Sequence, residues 1–157
     1  MIGAERPLST AELDELASRI DGWLAGHLDE DPSVEAVVRD DEGGIRRWFV
    51  RVQGEARSVF TVRFELRQRN LHVETYLMPA PVQDEAELYG WLLRRNAELP
   101  DLTLVIGEED AVYVIGQVPA VSVDAEVVDR LLGSTWAVVE RLFRPAMRIG
   151  FGSRFRA

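Results

Sequence analysis

Residues Ser58 to Arg67 alternate strictly, with Phe60, Val62, Phe64 and Leu66 on one side and Thr61, Arg63, Glu65 and Arg67 on the other. Successive side chains of a strand point to opposite faces, so this segment makes a strand with one apolar and one charged face. The same alternation recurs in Ile45 to Val52, where Trp48, Val50 and Val52 oppose Arg47, Phe49 and Arg51, and in Leu71, Val73, Thr75 and Leu77. With Val34 to Arg39 ahead of them and short turns at Asp40–Gly44, Gly54 and Arg69–Asn70, they form an antiparallel meander with one solvated face. A sheet of that kind needs helices on its other face.

Three helices are expected. Ser9 and Glu12 form a capping box that opens the first. Its stripe is Leu13, Leu16, Ala17, Ile20, Trp23, Leu24, His27 and Leu28, and it ends at Asp29–Pro32. Asp84 and Glu87 make a second capping box for a helix running to about Leu99. Its apolar arc is read as Ala86, Leu88, Tyr89, Leu92, Leu93 and Ala97, with Trp91 projecting among charges. Strands at Leu102–Gly107 and Ala111–Val118 flank the acidic turn Glu108–Asp110. A last helix starts near Ser122–Asp124, carries Val128, Leu131, Leu132, Thr135, Val138, Val139 and Leu142, and is expected to end or kink at Pro145. The fold class is therefore α+β, an antiparallel sheet with helices mainly on one face in the order αββββαββα. One domain over residues 1–145 and a basic tail over 146–157 are expected.

Composition limits the chemistry. The chain has no cysteine, which excludes thiolate metal sites and thiol nucleophiles. Its two histidines, His27 and His72, have no ligand partner three or four residues away, so neither a metal nor a cofactor is expected. His27 belongs at the edge of the core and His72 on the solvated side of its strand. Asn96, polar within an apolar arc, is expected to bond backbone near the helix end. The acidic clusters lie in turns and read as solvated, so no catalytic residue is assigned and the chain is expected not to be an enzyme. MIGAERPLST lacks a signal-peptide pattern and no stretch is long enough to span a membrane, so a cytoplasmic location is the expectation.

Charge is uneven. All 18 basic residues are arginine, and five of them (Arg141, Arg144, Arg148, Arg154, Arg156) lie after residue 140 with no acid among them. Removing that +5 from the net −9 leaves −14 on the rest. The tail alternates arginine with Phe143, Met147, Ile149, Phe151 and Phe155, a pattern suited to single-stranded nucleic acid, an anionic lipid surface or an acidic protein partner. The acidic body opposes polyanion binding and offers the tail an intramolecular partner, so nucleic acid is not the expected ligand. Tail contacts, if made, fall to Arg148, Phe151, Arg154, Phe155 and Arg156.

The stretch from Leu88 to Leu142 resembles the YbjN-type proteins, whose fold is that of the type III secretion chaperones. The resemblance is carried by a Leu-rich helix ending in Asn96, the strand Leu102–Ile106, the acidic turn 108–110, the valine-rich Val112–Val118, and Val121–Ser122 ahead of a final helix. It extends over roughly residues 10–145 and implies no enzymatic residues. It implies a small acidic chaperone-like or regulatory protein, homodimeric, that recognises a segment of a protein partner. Trp91 and the sheet residues Arg47, Phe49 and Arg51 are the contact candidates. The alternative is a nucleic-acid or anionic-surface binder acting through the tail.

Overall fold

The computed structural model describes residues 6–156; the first five residues of the expected domain and the last of the expected tail lie outside the described residues. The elements are α1 (Thr10–Glu30), β1 (Val34–Asp40), β2 (Arg46–Gln53), β3 (Val59–Leu66), β4 (Asn70–Met78), α2 (Glu85–Asn96), β5 (Leu102–Ile106), β6 (Val112–Pro119) and α3 (Ala125–Phe151). The six strands form one sheet in the order β1-β2-β3-β4-β6-β5 with every neighbour antiparallel. The expected class and element order are those of the structure.

One face of the sheet is the core. Trp48, Val50, Val62, Phe64, Leu71 and Val112 are fully buried beneath Leu13, Ile20 and Leu24 of α1, Leu88 and Leu92 of α2, and Leu131, Val139 and Leu142 of α3. Burying an aliphatic or aromatic side chain contributes about 1.5–3 kcal/mol, so this shared interface dominates the stability. Trp48 also needs a partner for its ring N–H, which donates to Asp21 Oδ1 of α1 at 2.7 Å. The β1–β2 turn passes through Gly43 and Gly44 at φ 73° and 77°, a left-handed backbone that glycine adopts without a steric penalty.

α1 begins as expected. The Ser9 hydroxyl accepts from Glu12 N–H at 3.2 Å, and the Glu12 carboxylate accepts from Ser9 N–H at 3.3 Å. Arg6 also holds that carboxylate, and its hydrogen bond is the main cause of a Glu12 pKa lowered to about 2. The second capping box does not form. Asp84 sits in a left-handed conformation (φ 49°) with no side-chain cap. The preceding segment is pinned to the end of α3, with Val82 N–H and Gln83 N–H both donating to the Gly150 carbonyl.

α3 does not end at Pro145, one of the two outcomes expected there, and runs through it to Phe151. Proline removes one helix hydrogen bond, but tertiary contacts hold the following turns. Ala146 is fully buried, and a Cβ on Gly150 would lie 3.1 Å from Met78 and from Pro81. Residue 145, the expected domain boundary, is thus inside a helix. Further up, Trp136 Nε1 donates to the Gln53 carbonyl at 2.8 Å, and Glu140 Oε2 accepts from the Glu55 and Ala56 amides at 3.0 and 2.9 Å. These bonds fasten the β2–β3 hairpin to α3.

Asn96 bonds backbone, but of a strand and not of its own helix. Its side-chain oxygen accepts from Leu104 N–H at 2.7 Å and its amide donates to the Leu104 carbonyl at 3.2 Å. The carboxamide thus occupies the outer edge of β5 as a neighbouring strand would, which protects an otherwise unpaired edge. Asn96→Ala is expected to lower the free energy of unfolding by about 2 kcal/mol, because two partly buried backbone groups lose their partners. Asn96→Asp should not restore it, since a carboxylate repels the Leu104 carbonyl. Urea titration of the three proteins checks both outcomes.

Candidate functional site

Among the described residues no helix covers the second face of the sheet. Strand register lines its side chains into cross-strand rows. One row reads Val38, Phe49, Arg63, Glu74, Ile115 and Thr103 from β1 to β5, and its neighbour reads Asp40, Arg47, Glu65, His72 and Gln117. Val38 is 57% exposed, while Phe49 and Ile115 are half-buried by the long charged side chains beside them. The face therefore carries an apolar pair, Val38 and Phe49, at its β1–β2 side and Ile115 on β6, with the charged pair Arg63 and Glu74 between them.

Those charges are neutralised pairwise. Arg47 Nε lies 3.1 Å from Glu65 Oε2, Arg67 bonds the other oxygen of Glu65, Arg63 pairs with Glu74, and Arg51 Nε lies 2.9 Å from Glu35. Glu65 is only 5% exposed although it stands on the open face, because two guanidiniums cover it. Burial pushes its pKa up, but hydrogen bonds from Arg67 and Arg47 outweigh that and leave it below the ordinary carboxylate value. His72 is half-buried beside this group and not fully solvated. Burial first, and then the nearby Arg67, lower its pKa, with Glu65 opposing. An open groove of about 910 Å³ runs over this part of the face, floored by Arg63, His72 and Ile115 and walled by Leu99 and Asp101. A Cβ on Gly116 would come within 2.6 Å of the Asp101 carbonyl, so the wall approaches the sheet closely only because residue 116 is glycine.

The structure brings Arg47, Phe49 and Arg51 together on this face. It does not add Trp91, which lies on the helix side, half-buried against the core with the Arg95 guanidinium 5.2 Å from its ring centre. The α2 wheel departs from the expected one at two positions: Leu93, placed in the apolar arc, is 69% exposed, and Arg95, placed on the charged side, is half-buried, while Asn96 keeps its inward place. Val38, Arg63, Glu74 and Ile115 were not among the sequence candidates. The alternation in each strand was visible, but only the register across four hairpin and crossover connections sets these four beside Phe49. The tail candidates divide. Phe151, with Met147 and Ile149, packs on the core, Phe155 meets Phe143 edge to face at 5.8 Å, and Arg148, Arg154 and Arg156 are exposed. His27 sits at the core edge, 3.4 Å from Asp129 of α3. Among the described residues no group of three or more His, Asp or Glu could hold a metal ion, and no helix is long and apolar enough to cross a membrane.

A one-sided antiparallel sheet with three helices on its covered face is the type III secretion chaperone-like fold. Among solved structures, a chain of the HopA1–SchA chaperone–effector complex matches with a TM-score of 0.57 at 16% identity, over 88% of this chain and 99% of that one. A chain of the ExsC–ExsE complex matches with a TM-score of 0.57 at 17% identity, over 82% and 94%. The sequence narrows this class. Residues 17–146 match the YbjN family model, described as "Putative bacterial sensory transduction regulator", and the chain belongs to that family. An uncharacterised protein of Mycobacterium leprae is 28% identical over 110 residues, 70% of this chain and 60% of that protein. One of Mycobacterium bovis is 29% identical over 104 residues, 66% and 57%. The chain thus spans less than two thirds of the length of these relatives.

The lowered pKa of His72 has a sign that can be checked. The folded state disfavours its protonation, so the neutral imidazole supports the fold above the ordinary value of 6.5, and that support fades as pH falls below it. NMR titration should place the His72 midpoint below that of a free histidine. His72→Gln should make the loss of stability on acidification shallower.

Proposed function

We propose that this chain is a non-enzymatic, chaperone-like binding protein that holds an extended segment of a partner protein across the open face of its sheet. The observation that carries the reading is the open sheet face, which no helix of the described residues covers while the opposite face carries three, and which bears the apolar pair Val38 and Phe49 on β1 and β2 and Ile115 on β6. An extended segment alternates its side chains as a strand does, so its apolar residues can meet Val38, Phe49 and Ile115 while its polar ones meet the Arg63–Glu74 pair that lies between them. The solved neighbours support the reading: the HopA1–SchA structure is by its description a chaperone–effector complex, and this chain shares its fold. The residues on the face offer ion pairs but no nucleophile with an adjacent base, which supports a binding role. The cysteine-free composition fits a protein of the cytoplasm.

The protein acts as a homodimer in this reading. Leu93 stands at the centre of the outer side of α2, flanked by exposed Ala86 and Ala97 and by Gly90, where a Cβ would meet only the end of the Arg94 side chain at 3.9 Å. Such small residues let a second helix approach closely. Trp91 lies at the margin of this contact.

Two measurements separate the parts of the proposal. Affinity capture with crosslinking, comparing wild type with the Val38→Asp, Phe49→Asp double variant, should show the partner lost from the variant while its unfolding midpoint stays near wild type. Retention of the same crosslinked partner by the variant would sink the sheet-face reading. Light scattering at micromolar concentration should give the mass of a dimer for wild type and of a monomer for Leu93→Asp. A wild-type monomer would remove the dimer alone.

A further inference from the structure

Among the described residues, ten arginines form ion pairs with carboxylates. Five that do not, Arg57, Arg144, Arg148, Arg154 and Arg156, gather where the β2–β3 hairpin meets the end of α3. Arg57 lies 5.3 Å from the Tyr76 ring centre and 5.7 Å from that of Phe143, and it donates to the Leu77 carbonyl at 3.5 Å. Arg144 donates to the Glu55 carbonyl at 3.0 Å, which brings it to the same hairpin, while its Nε is buried with no acceptor. Arg148 follows one turn further along α3. Arg154 and Arg156 flank Phe155, which is anchored on Phe143.

Of the five arginines after residue 140, Arg141 reaches Glu98 of the acidic body at 3.9 Å, whereas among the described residues Arg144, Arg148, Arg154 and Arg156 form no such pair. The apolar residues of the tail do the docking; Arg148, Arg154 and Arg156 are left outward, while Arg57 and Arg144 bond backbone carbonyls of β4 and the hairpin. A chain with 27 carboxylates and a net charge of −9 that leaves five guanidiniums without one at a single end has a local surplus of positive charge. Burial lowers the pKa of Arg57, the mark of a guanidinium held partly away from water with no carboxylate beside it.

We propose that this end of the molecule is a docking surface for an acidic, Asp/Glu-rich segment of a partner protein. Guanidiniums accept carboxylates in a two-bond fork geometry, which suits this cluster. Single-stranded nucleic acid would need free aromatic faces for base stacking. Here Phe143 is engaged by Arg57 and Phe155, and Phe151 packs on the core, so charge is on offer and stacking is not. The −14 on residues 1–140 also repels a long polyanion while leaving a short acidic segment unaffected at the patch. The surface is separate from the open sheet face and does not depend on it.

The test is fluorescence anisotropy with the full chain and a short labelled peptide of Glu and Asp, at low and at physiological salt. Binding should weaken as salt rises, and the exposed-site triple variant Arg148→Gln, Arg154→Gln, Arg156→Gln should bind about tenfold more weakly, with its circular dichroism unchanged. Phe49→Asp, which disables the sheet face, should keep the wild-type affinity, so the two readings fail separately. Absence of binding at low salt, a triple variant equal to wild type, or tighter binding of an oligothymidylate of equal charge would each overturn the proposal.

Discussion

Every layer of this molecule depends on a six-stranded antiparallel sheet whose apolar residues suffice for one face only. Trp48, Val62, Phe64, Leu71 and Val112 commit that face to α1, α2 and α3. The alternating positions, Arg47, Phe49, Arg63, Glu65, Glu74 and Ile115, are then obliged to share the other. Charged side chains cannot be left buried without partners, so the uncovered face becomes a lattice of arginine–carboxylate pairs with Val38, Phe49 and Ile115 as isolated apolar points among them. The surface offered for binding is a consequence of the same alternation that builds the core.

α3 makes this arrangement rigid. It meets the sheet with a broad apolar stripe and also carries hydrogen bonds that reach past it. Trp136 and Glu140 hold the β2–β3 hairpin, and the Gly150 carbonyl takes the amides of Val82 and Gln83. These bonds order one end of the β2–β3–β4 ladder, where the β2–β3 hairpin lies beside the end of β4. Asn96 performs a comparable service at β5, where its carboxamide stands in for a missing strand.

The strands were legible because a period of two needs no knowledge of tertiary contacts: the sides assigned to Trp48 and Arg47, or to Phe64 and Arg63, are those of the structure. α1 was legible for a similar reason, its capping box being a local device. α2 was legible only in part. The inward place of Asn96 was legible, but a helical wheel weighs hydrophobicity alone and could not show that its partner is Leu104 of β5, that Arg95 covers Trp91, or that Leu93 is left in solvent. Pro145 and Asp84 misled for one shared reason. The packing of Gly150 against Met78 and Pro81, and the pinning of residues 82–83 to the Gly150 carbonyl, override local rules that hold for an isolated helix. The candidate site was half legible: Arg47, Phe49 and Arg51 followed from alternation, while Val38, Glu74 and Ile115 required the cross-strand register.

The central claim is that the uncovered sheet face, and not the helical side, receives a protein segment. A photocrosslinking amino acid placed singly at Val38, Phe49 and Ile115, and for comparison at Ala11 and Ala125 on the outward sides of α1 and α3, addresses it directly. The account predicts that one partner is crosslinked from all three sheet positions and from neither helical position. Crosslinks to that partner from Ala11 or Ala125, with none from the sheet, would contradict it.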